Sequence, residues 1–280
     1  MSPSGATRQD DPRDARTIEH AIVAELAPTG VLRAAINLGN PILAHGSAVA
    51  PGGVTVDLAR QLAASLGLES SLVSCDAARS SFMTLQSGAV DIGFLARDPE
   101  RETALRFRDP YVIFDGAFAV PTASPLTEAG DVDRPGMRVA LNQGSAYDLF
   151  LSRTLRHAEI IHAHDGIAAF DAQRLETVAG LRQSLTRHLA NRPGLRLLEP
   201  PFMQIHQCLA IRRDRTDAAL RFLNDALVTL LRSGFIASAL TRAGQDPTLA
   251  ASPSTRRRTP NHRKDKNDQS HVAPQQRHLR

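Results

Sequence analysis

The chain has 280 residues, 42% of them hydrophobic and 22% charged, which is enough to bury a sizeable core and suggests two domains or lobes. Its net charge of +4 is unevenly placed: residues 252–280 hold eight Lys or Arg against two Asp, a net of +6, which leaves the first 251 residues at −2. The high isoelectric point therefore belongs to the tail, and it excludes any argument from charge that the folded body binds nucleic acid.

Residues 1–20 are rich in Asp and Arg and hold no apolar run, so no signal peptide is expected, and residues 1–28 read as a flexible arm. Val31 to Asn37 is the first predicted strand, followed by a turn-rich loop from Leu38 to Gly53. Ala34 to Val56 lacks charged side chains, but its Asn, Gly and Pro residues exclude a membrane span. Leu58, Leu62 and Leu66 lie four apart on one face of a predicted helix, and Gly67 supplies its stop. Leu72 and Val73 mark a second strand, and Asp76 to Ser87 a second helix closed by Gly88.

Ile92 to Ala96 has buried-strand length, and Asp98 then Pro99 supply an N-cap and a first helical residue. Arg101 then falls in the first turn of a helix, where a cation opposes the helix dipole. Its guanidinium either receives a carboxylate through two parallel hydrogen bonds, beside free backbone amides, or pairs with Asp98 at the surface.

Tyr111 to Pro121 is apolar and β-prone, broken by Asp115 and Gly116, and it carries the chain out of the first lobe. The pattern then repeats, with a strand from Met137 to Asn142 and Ser145 as an N-cap with Asp148 three residues on. Further strands are expected at Ile160 to Ala163 and Leu195 to Leu198, with a helix at Gly166 to Phe170, and Thr177 to Ala179 leads through Gly180 into another from Leu181 to Ala190. Gln207 to Ile211 returns the chain to the first lobe. Leu220, Leu223, Leu227, Leu230 and Leu231 then stripe a helix that Ser233 and Gly234 interrupt. Strand alternating with helix predicts a parallel sheet with ligand loops at the carboxyl ends of its strands. Cys75 and Cys208 read as two buried thiols or one disulfide, and the scattered histidines lack metal-ligand spacing. No catalytic group, metal or organic cofactor is expected.

The Asn-Leu-Gly-Asn-Pro of 37–41, Gly53 to Leu66, Asp91 to Tyr111, Gly144 to Leu151, Leu175 to Leu185 and Phe202 to Ile211 together resemble the bacterial extracellular solute-binding proteins of family 3. These are periplasmic receptors of amino-acid-type ABC transporters. The resemblance implies an α/β, two-lobe periplasmic binding protein fold of type II, with two crossing strands as hinge, C-terminal helices and a disordered tail. It places lobe 1 at residues 29–118 plus 208–248, lobe 2 at 119–207 and a disordered basic tail at 249–280. It further implies that Arg101 grips the carboxylate of a ligand, with backbone groups of Ala96 and Asp98 beside it. Ser145 and Ala146 would be donors from the second lobe, Asn37, Asn40 and Gly180 would shape the pocket, and Gln207 would face the cleft. The implied partners are a small-molecule solute and an ABC transporter permease, with no nucleic acid; a monomer in the periplasm is expected, and the missing signal peptide makes the cytoplasm the alternative.

One departure bears on the ligand. Family receptors hold an ammonium with acids where this chain has Asn37, and no acid stands at Gly180 to Arg182. An anionic or carboxylate-bearing solute is therefore expected, with Arg97 and Arg182 adding to Arg101. The alternatives are a cyclohexadienyl dehydratase-like lyase, in which a cleft carboxylate or His is the general acid, and a cytoplasmic small-molecule sensor.

Overall fold

The computed structural model describes residues 12–253. Helix α1 (Pro12–Leu26) leads into β1 (Val31–Asn37), the small hairpin β2 (His45–Gly46) and β3 (Pro51–Gly52), α2 (Val54–Ser65), β4 (Glu69–Cys75), α3 (Ala78–Gln86), β5 (Ile92–Ala96) and α4 (Pro99–Glu102). The long strand β6 (Leu105–Pro121) then crosses to β7 (Arg138–Asn142), α5 (Ala146–Thr154), β8 (Glu159–Ala163), α6 (Gly166–Gln173), β9 (Thr177–Leu181), α7 (Arg182–Leu189) and β10 (Leu195–Leu197). Strand β11 (Met203–Arg212) returns the chain to α8 (Asp217–Arg232) and α9 (Phe235–Arg242).

The strands form one mixed sheet in the order β4-β1-β5-β11-β6-β9-β7-β8, with β10 also paired to β6. On one side β1 runs parallel to β4 and β5. On the other, β7 runs parallel to β8 and β9. Two antiparallel crossing strands, β6 and β11, join these halves, so the chain leaves the first half once and re-enters it once. Their register slips between Gln207 and Cys208 and again between Cys208 and Ala210, with β6 carrying the extra residues. Such bulges bend and twist a strand locally, and here they lie where the two halves meet. The Asp115 and Gly116 that read as strand breakers are thus absorbed within 17 residues of continuous strand.

The main core runs through both halves, from Leu32, Ile36 and Leu58 to Val139, Leu141 and Leu151. Smaller clusters lie on the opposite faces, one under α3 around Leu85, Leu95 and Cys208, and one under α6 and α7 around Ala117, Phe170 and Leu185. Both cysteines are free and buried, so the disulfide alternative is not realised. Burial pushes the Cys208 thiol up to about 12.

The described residues nearest the two ends, 12–28 and 249–253, are more ordered than their composition indicates. Of the flexible arm expected over 1–28, the described part from residue 12 is instead helix α1 docked on α8: Leu26 and Ala27 are 1% and 3% exposed, and Glu25 accepts hydrogen bonds from the Thr216 amide and hydroxyl at 2.6 and 2.7 Å. The few apolar side chains among the charges, Ile22 and Leu26, suffice to hold it against the core. At the other end, the chain stays packed beyond residue 249, where the expected disordered tail starts. The Ala251 amide donates to the Tyr111 carbonyl at 3.0 Å, and Ala250 bridges to Val112. Residues 1–11 and the basic tail from 254 to 280 lie outside the described residues.

Candidate ligand-binding cleft

The loops after β1, β4 and β5 face those after β7, β8 and β9 across the β6–β11 pair, and together they enclose a cavity of about 340 Å³. Its wall draws on both halves, as a topology with every parallel strand ending at one gap requires.

Arg101 stands at the centre of this wall. The chain turns sharply after β5, Asp98 caps α4 by accepting from the Glu100 amide at 2.9 Å, and the Arg101 side chain folds back beneath the turn. It is 3% exposed. Nη1 donates to the Ala96 carbonyl at 2.9 Å, and Nη2 to the Gly144 carbonyl, across the gap, at 2.9 Å. Among the described residues no carboxylate pairs with it. The surface pair with Asp98 does not form, because Asp98 is held by Arg153 of α5 through both carboxylate oxygens, at 2.7 and 3.2 Å. Burial pulls the Arg101 guanidinium well below its ordinary value, to about 10, with Asp98 and Glu100 offsetting part of that desolvation. A buried cation held by carbonyls alone still lacks a counter-charge, which suits it chemically to an anion.

Eight of the nine candidate residues border the cavity: Asn37, Asn40, Ala96, Arg101, Ser145, Ala146, Gly180 and Gln207. Asp98 does not, because its carboxylate is spent on the α4 cap and on Arg153. Asn37 accepts from the Gly39 amide at 3.0 Å and Asn40 from Ile42 at 3.3 Å, so both side chains shape the β1 loop. The Ala96 carbonyl is occupied by Arg101. Ser145 caps α5 by accepting from Asp148 at 3.0 Å, and α5 opens at the cavity with Ser145, Ala146 and Tyr147 in its wall. The first amides of a helix have no intrahelical acceptor, which suits this end to an anion. Gly180 lies against Leu185, where an added Cβ would come within 3.3 Å of Cγ.

Arg97 and Arg182 do not add to the anion site. Arg97 binds Glu102 at 2.6 Å and Arg182 binds Glu199 at 2.7 Å, with Asp115 at 3.6 Å, and neither borders the cavity. Acids absent at Asn37 and at Gly180 to Arg182 arrive from elsewhere. Asp76, after β4, and Asp165, after β8, both reach the wall, with His164 beside them. Asp76 approaches because Gly39 has no Cβ: one placed there would come within 2.4 Å of the Asp76 carbonyl oxygen. A hydrogen bond from the Ser80 hydroxyl, aided by His164, holds Asp76 below the ordinary carboxylate range. Asp165 caps α6, accepting from Ile167 and Ala168 at 3.0 and 3.1 Å. Its Asp-Gly before Ile-Ala-Ala-Phe is a cap signal that could have been read. Phe94, Tyr147 and Ile205 supply apolar wall that the sequence reading missed, since burial on a strand or in a helical turn looks like ordinary core.

The profile of the bacterial extracellular solute-binding proteins, family 3, matches residues 34–244. No curated protein matches the chain in sequence. Among solved structures, a mutant of ArgBP from T. maritima superposes with a TM-score of 0.67 at 20% identity, covering 80% of this chain and 99% of that one. The solute receptor for L-cysteine of Neisseria gonorrhoeae gives 0.67 at 21% identity, with coverage of 79% and 92%. An ancestral amino-acid-binding protein, a precursor of cyclohexadienyl dehydratase, gives 0.65 at 19% identity, with coverage of 79% and 97%. At these identities the likeness establishes the type II periplasmic binding protein fold, and the profile match over most of the chain sets the family. The chain belongs to the bacterial extracellular solute-binding proteins, family 3.

Proposed function

We propose that this protein is the solute receptor of an ABC transporter, acting outside the cytoplasmic membrane, and that it captures a small α-amino acid between lobes 29–118 plus 208–248 and 119–207. The observation that carries this reading is Arg101: buried, charged, free of any carboxylate among the described residues, and facing a cavity of about 340 Å³. A ligand carboxylate on Arg101 satisfies it, with the first turn of α5 as a second source of donors. Asp76 and Asp165 give an ammonium its counter-charge, which removes the reason to prefer a purely anionic solute. Because the wall comes from both lobes, the solute favours the closed arrangement through contacts it makes to both at once.

Calorimetric titration with L-arginine and L-cysteine, each beside its decarboxylated amine, agmatine or cysteamine, tests the assignment. The expected result is binding of at least one amino acid and none of the matching amine. Equal binding of acid and amine, or full binding by Arg101→Met, would remove Arg101 from the role.

A further inference from the structure

We propose that Arg153 is a closing residue: it pulls the second lobe onto the first by clasping Asp98, and so sets the affinity for every solute without touching any. The inference rests on the two-lobe receptor reading above. Asp98 and Arg153 are 55 residues apart in sequence and belong to segments on opposite sides of the β6–β11 pair. Their guanidinium and carboxylate meet fork to fork, at 2.7 and 3.2 Å, and neither side chain borders the cavity.

Three features make this a device of closure rather than a chance surface pair. Asp98 is only 5% exposed on its side chain, so its carboxylate meets the Arg153 guanidinium away from bulk water, where the attraction between the two charges is stronger than in an open surface pair. Both groups are fixed before they meet: Asp98 caps α4, and Arg153 sits in the last turn of α5, where a cation complements the helix dipole. The contact is also not isolated, since Arg101 reaches the Gly144 carbonyl between the same two segments. The solute anchor and the clasp therefore engage in one movement. Apparent affinity equals intrinsic affinity scaled by the closed fraction, so losing the clasp weakens all solutes by one common factor, of up to about fivefold for a partly exposed pair.

The test compares the full-length protein with Arg153→Gln, Asp98→Asn, which keeps a capping side chain, and the double variant. Small-angle scattering without solute is expected to give a larger radius of gyration for each variant than for the wild type. Dissociation constants for two or more amino acids should rise by the same factor, and the double variant should match the singles rather than doubling their effect. Arg153→Lys should recover part of the loss. An unchanged radius of gyration, or a loss that differs from solute to solute, would overturn the proposal. Should none of the amino acids bind the wild type, the solute-free scattering still decides for or against the clasp, while the receptor reading alone fails.

Discussion

Arg101, the proposed carboxylate anchor, is a side chain whose burial opposes stability while fitting it for the binding role proposed. The fall of its pKa to about 10, caused mainly by burial, corresponds to a net of roughly 3 kcal/mol against the charged form in the folded protein. Its two hydrogen bonds to carbonyls return about 1 kcal/mol each. Arg101→Met should therefore abolish carboxylate binding while leaving the melting temperature of the solute-free protein unchanged or a few degrees higher; calorimetry and a thermal scan read the two effects. A sharp drop in melting temperature would make Arg101 a structural residue instead. The pH dependence follows from the direction of the shift. The folded-state value lies below the unfolded one, so the cost of burying the charge is fully present below about pH 10 and is relieved as pH climbs from there toward the higher unfolded value. An anion needs the charged form, so affinity should hold steady up to about pH 9 and decline through pH 10, by up to tenfold per unit.

Helices and strands set where such residues can meet, and here local pattern and long-range geometry divide. Arg101 and Ser145 were legible because each sits at a strand-to-helix turn with a cap signal in the chain, Asp98-Pro99 and Ser145 to Asp148. Asp76 and Asp165 were not found as cleft acids, because nothing within their own segments says that the loops after β4 and β8 will face one another. That follows from the lateral order of strands across β6 and β11. The α1 helix was missed for a related reason: its anchor, the bond from Thr216 to Glu25, joins residues 191 apart. Gly144 carries the clearest consequence at this scale. Its φ is +72°, and an added Cβ would stand 2.8 Å from the Arg79 Cβ on the facing segment. Gly144→Ala should cost about 1 kcal/mol of stability from the left-handed backbone. It should also weaken solute binding by holding the lobes apart, and chemical denaturation with a parallel titration separates the two losses. Wild-type affinity in this variant would show that the β7–α5 turn does not close against α3.

The whole molecule is two lobes by topology but nearly one body by packing. The main core cluster joins Leu32 and Leu58 on one side to Leu141 and Leu151 on the other, through Phe114 and Phe118 of β6. The crossing strands belong to a single sheet, so neither half can melt without exposing apolar surface of the other. Independent domains joined by a linker would instead bury separate cores and unfold in separate steps. Heating the solute-free protein should therefore give one cooperative transition, with calorimetric and van't Hoff enthalpies equal. Because a solute binds only the folded form, a concentration of 100 times Kd should raise stability by about 2.7 kcal/mol and move that whole transition upward. Two resolved transitions, only one of them shifted by solute, would show that the shared core does not couple the lobes and that closure is a docking of separate domains.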